Sequence, residues 1–140
     1  MKYILPIIAA IVVMACKTTE VVKYEYRSTT MLGTRVLTVT QDSIVSSYSG
    51  RAEPTRSSRA TTVEEWAKLQ EASKGLKWSE IANLEAPTNR RSTDASPFGS
   101  IKISTKDSTY KSSSFDGYNS HQDLLPVMDL IKEIAQSARN

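Results

Sequence analysis

The sequence predicts an α+β fold: an antiparallel sheet of about five strands with two to three helices packed on one face. Three observations carry this. Three runs between residues 22 and 48 are rich in β-branched and aromatic residues and are joined by very short connections. Two stretches of helical period follow, and then a second strand pair. The chain closes on an apolar stripe at 3/4 spacing, the mark of a helix lying on a sheet.

The elements follow in order. Val22-Lys23-Tyr24-Glu25-Tyr26-Arg27 alternates apolar and charged residues, so Val22, Tyr24 and Tyr26 face one way. A polar turn closing at Gly33 leads to a second strand, Thr34 to Thr40, and a third runs from Ser43 to Tyr48. Connections this short join antiparallel neighbours rather than crossovers. Gly50 to Ala60 reads as a loop carrying Arg51, Arg56 and Arg59 around Pro54. Thr62 and Glu65 then fit a capping box, in which each side chain bonds the other's backbone N–H. Val63, Trp66 and Leu69 or Gln70 set the inward stripe of that helix, and Lys74-Gly75 stops it. Trp78 to Leu84 is a shorter helical turn, broken at Ala86-Pro87. Thr88 to Pro97 is polar. Ile101 to Thr105 and Thr109 to Ser112 make a hairpin. Phe115 to Ser120 is a turn-rich loop. Asp123 caps the last helix, which tolerates Pro126 in its first turn. Leu124, Val127, Met128, Ile131, Ile134, Ala135 and Ala138 form its stripe.

The amino terminus has its own chemistry. Lys2 precedes an uncharged run from Ile4 to Ala15, which is too short for a span of roughly 20 apolar residues and is interrupted by Pro6. Val13-Met14-Ala15-Cys16 resembles the lipobox of bacterial lipoproteins. That resemblance implies cleavage before Cys16 and a diacylglyceryl thioether on its thiol, often with further acylation of the new amine. Residues 1–15 are then a signal peptide, 16–21 a tether and 22–140 a single domain. Two or more acyl chains give a stable anchor where one is marginal. Lys17 stands where Asp would favour inner-membrane retention, which points by the same resemblance to the periplasmic face of the outer membrane. From Val63 onward the chain is similar to small lipoproteins of the Bacteroidota that carry no assigned chemistry. The features are Trp66, Ala86-Pro87-Thr88-Asn89, the Ile101/Tyr110 hairpin and Ser114-Phe115-Asp116-Gly117. This resemblance implies fold and location, not activity.

Composition narrows the function classes. Removal of residues 1–15 leaves one domain's worth of chain, enough for a real core. The formal charge of +3 becomes +2 without Lys2, too small for a nucleic-acid partner. Cys16 is the only Cys, so packing alone must hold the fold. Ser and Thr number 33, which favours strands with a wet outer face. His121 is the only His, and the carboxylates are scattered, so neither a metal nor another cofactor is expected. Ser120, His121 and Asp123 are neighbours in sequence, whereas triads are assembled from distinct elements; His121 reads as an exposed residue at a helix start.

Two candidate binding regions remain. Phe115, Asp116, Tyr118 and His121 mix aromatic and charged groups as sugar- or peptide-binding loops do; a plain turn with Asp116 bonded to nearby N–H groups is the competing reading. Arg51, Arg56 and Arg59 could meet lipid phosphates or other anions, or simply form a solvated loop. The expected function is that of a lipid-anchored, non-catalytic module binding an envelope protein, a peptide or a glycan. The alternatives are a periplasmic enzyme with an unrecognised polar site, and an inhibitor or chaperone-like module that adds a partner's strand to a sheet edge.

Overall fold

A computed structural model describes residues 20–139; Cys16, the expected signal segment and most of the expected tether lie outside the described residues. The chain forms β1 (Val21–Thr30), β2 (Gly33–Thr40), β3 (Ser43–Gly50) and β4 (Thr55–Ala60), then helix α1 (Val63–Ser73). Two 3-10 segments, Trp78–Asn83 and Arg90–Thr93, lead to β5 (Phe98–Thr105), β6 (Thr109–Lys111) and β7 (Phe115–Asp116), and the chain closes on α2 (Leu125–Ser137). All strand pairs are antiparallel, in the order β4-β3-β2-β1-β5-β6 with β7 also on β5. The fold is α+β, with seven strands rather than about five.

Register decides the two faces of the sheet. Tyr24 pairs with Val39 and Ile103, Tyr26 with Leu37 and Ile101, and Val39 with Ile44. Directly opposed residues share a face, so these side chains make one continuous apolar inner face. Leu69 of α1 and Val127, Met128 and Ile131 of α2 complete the core with them. The Tyr24 hydroxyl donates to the Leu69 carbonyl at 3.0 Å and lies 2.7 Å from Ser73 Oγ. Burial pushes that phenol up to about 12, so it stays protonated and a donor. Arg59, opposite Ile44 on the same face, reaches Glu65 of α1 and Ser137 of α2. Among the described residues, the buried apolar side chains fall between Val21 and Ala135.

Several expectations are corrected. Gly50 to Ala60 is not all loop, because Thr55–Ala60 pairs with β3 as an edge strand. Thr-Arg-Ser-Ser-Arg-Ala has no apolar alternation because almost none of it is buried, so periodicity could not report it. β1 starts one residue early, at Val21, and β5 starts at Phe98. Trp78–Asn83 is a 3-10 segment rather than an α-helical turn. Val63 leaves the inward stripe and is 89% exposed, because the buried side of α1 is set by Leu69 and Ser73. Asp123 does not cap α2: Leu124 holds the cap position with no side-chain bond, and the Asp123 amide donates to His121 Nδ1. Phe115 and Asp116 form a short strand where a turn was expected. The capping box of Thr62 and Glu65 is present as expected.

Candidate functional site

The three arginines do not act together. Arg51 lies at the hairpin end of the sheet, where its amide donates to the Leu32 carbonyl at 2.9 Å. Arg56 pairs with Ser47 and therefore points to the outer face, away from the inner face that holds Tyr24 and Tyr26. Arg59 points inward and is engaged. It grips Glu65 through two bonds of 3.0 and 2.7 Å and reaches Ser137 Oγ at 2.8 Å. The Arg59 bonds are the main reason that the Glu65 carboxyl is held down at about 2. A guanidinium so committed is a clip between β4 and both helices.

The 115–121 segment is built from the inside. Phe115 is buried opposite Gly99, where the two backbones approach so closely that a Cβ on Gly99 would lie 2.1 Å from the Gly117 carbonyl oxygen. Gly117 has φ +56, in the left-handed region that favours glycine. Its carbonyl accepts the Tyr26 hydroxyl at 2.7 Å, and Tyr118 stacks on Tyr26 with ring centroids 4.6 Å apart. Asp116 is buried. Its carboxylate accepts from the Thr88 hydroxyl, the Arg90 and Arg91 amides at 2.8 and 2.9 Å, and the Arg91 guanidinium at 3.0 Å. Burial works to raise this carboxyl, but those four donors outweigh it and hold it well below the usual carboxylate range. All four donors come from the chain itself, so Asp116 fastens residues 88–91 over the end of the sheet. His121 takes the Asp123 amide at 3.2 Å and lies 3.7 Å from the Asp123 carboxylate. Gly117, Tyr118 and His121 are half-buried and Asn119 is exposed, so solvent reaches the turn but not Phe115, Asp116 or Ser120. Among the described residues, no group of three or more His, Cys, Asp or Glu side chains is placed to hold a metal ion.

Two further surfaces stand out that sequence reasoning did not single out. The first is a groove of about 650 Å³ at the hairpin end, between Thr29–Leu32 and Asp94–Phe98. Met31, Leu32 and Phe98 are 73%, 60% and 46% exposed around it. An apolar pair at the tip of a polar turn, Met31-Leu32, was the available signal. The second is β4, which ends the sheet. Its six residues are almost wholly exposed, and one side of its backbone has no strand partner among the described residues. Tyr48 braces the same end: its hydroxyl donates to the Leu32 carbonyl at 2.8 Å, and Arg35 sits over its ring at 5.6 Å.

No family model matches the chain, and no curated protein or solved structure is significantly similar to it.

Proposed function

We propose that this chain is a lipid-anchored module of the cell envelope that binds an extended protein segment rather than turning over a substrate. The observation that carries the binding mode is the open edge of β4. In this reading the two helices form one layer on the inner face, and β4 projects beyond them as a template for an added strand. Backbone hydrogen bonds supply affinity there, and Arg56 on the outer side supplies preference. Self-pairing of two β4 edges is opposed by the uncommitted cation of Arg56, so a foreign strand with an acidic residue fits better.

The anchor rests on Val13-Met14-Ala15-Cys16, and the outer-membrane assignment rests on Lys17. Changing Cys16 to Ser should move the protein from the membrane fraction to the soluble one; unchanged fractionation refutes the anchor. For the edge, a photo-cross-linking residue at Ser57 should give a discrete adduct in intact cells. The same probe at Lys132 on α2 should not. Equal yields at both positions, or none at Ser57, would refute edge binding.

A further inference from the structure

We propose that the outer face of the sheet seats on an anionic lipid surface, with Met31, Leu32 and Phe98 entering the headgroup layer. The register fixes the composition of that face. Lys23, Arg27, Arg56, Lys102 and Lys111 lie on it, against the half-buried carboxylate of Glu25. Five cations and one anion give +4. Residues 20–139 as a whole hold 16 Lys or Arg and 15 Asp or Glu, a net charge of +1. The rest of the domain is therefore net negative, and the positive charge is gathered on one side. Asp116 shares that side, but it is buried beneath residues 88–91 and paired with Arg91. Glu25 is itself paired with Lys102 at 3.0 Å.

The face is also open. Val36, Thr38, Val45, Ser47 and Ser100, which lie among the cations, are half-buried rather than covered. The cations spread from β4 to β6, across roughly 24 Å at about 4.8 Å per strand. A single acidic strand would meet one stripe of that width, whereas a bilayer meets all of it. The apolar groove lies at one end of the same face, since Thr29 and Phe98 are opposed and share the side of Glu25 and Arg27. Met31, Leu32 and Phe98 have no partner to offer an acidic chain in water, but they suit an interface that is half apolar. Asp94 is the one carboxylate on the groove's rim. Val21 is at the opposite end of β1, roughly 30 Å from Thr30. A face lying flat therefore lets the start of β1 and the hairpin tip meet the surface together.

The test uses the chain from Glu20, which holds every strand and helix among the described residues and lacks Cys16, so failure of the lipid anchor and failure of this proposal are separable. The chain should float with vesicles of phosphatidylcholine and phosphatidylglycerol at low ionic strength, and not with phosphatidylcholine alone. Each basic residue near such a surface is worth about fivefold in partitioning, so Arg27→Gln with Arg56→Gln should weaken flotation by roughly 30-fold. Lys74→Gln with Lys132→Gln makes the same change in net charge on the helical side and should leave partitioning within about threefold. Met31→Ser with Leu32→Ser should remove the binding that survives added salt. No flotation on phosphatidylglycerol at low salt, equal flotation on neutral vesicles, or an equal loss in the helix-side variant would overturn the proposal.

Discussion

Neutralising Glu65 tests the clip that joins the edge strand to the helices. Glu65 does two jobs. It closes the capping box by accepting the Thr62 amide at 3.0 Å, and it holds Arg59 through two bonds. Its carboxyl is depressed from 4.5 to about 2, a nominal ~3 kcal/mol at 1.36 kcal/mol per pH unit. Arg59 and Glu65 are 31% and 24% exposed, so solvent screening reduces the ion pair to about 1 kcal/mol. Glu65→Gln keeps an oxygen for the Thr62 amide and should cost about that much. Glu65→Ala loses the cap as well and should cost about 2 kcal/mol. The assay is urea unfolding followed by Trp66 and Trp78 fluorescence, on a cycle of Arg59→Met, Glu65→Gln and the double variant. The sign of the pH effect follows from the depressed value. The stabilisation is complete above about 4.5, declines as pH falls and is lost through about 2. A coupling below ~0.3 kcal/mol at pH 7, or one that persists undiminished at pH 2, would refute this reading of the clip.

Other outcomes can be checked on the same protein. Gly99→Ala should destabilise by about 1–3 kcal/mol, because its Cβ meets backbone at Gly117 rather than a side chain that can swing away; a melting temperature equal to wild type would contradict the close approach. Ile103→Ala removes a fully buried side chain between β1 and β6 and should cost about 2–5 kcal/mol in urea unfolding. Asp116→Asn should speed amide exchange at Arg90 and Arg91, whose N–H groups it now accepts. Unchanged exchange there would show that residues 88–91 are fastened by something else.

Much of the fold could be read from the residues alone. Tyr24 and Tyr26, and Ile101 and Ile103, alternate with polar neighbours, the period that half-buried strands require, and Thr34 to Thr40 is rich in β-branched residues. The Thr62 and Glu65 pair announced α1, and the Leu124–Ala138 stripe announced α2, because capping and one-sided burial both leave local marks. β4 left none, since pairing by backbone alone places no demand on side chains that face water. The candidate site was legible in its residues but not in its arrangement. Arg51, Arg56 and Arg59 lie within nine residues, yet strand alternation sends Arg56 outward and Arg59 inward, where Glu65 takes it. Phe115 and Asp116 look like a ligand loop until Gly99 and the Arg90 and Arg91 amides close on them.

Sequence by itself determined which stretches alternate, where α1 is capped, and that Cys16 is the single cysteine. The first two are properties of neighbours along the chain. Only the tertiary structure decided that Lys23, Arg27, Arg56, Lys102 and Lys111 share one open face. Register between strands whose paired residues lie up to 84 positions apart, as Val21 and Thr105 do, sets that face, and no local period encodes it.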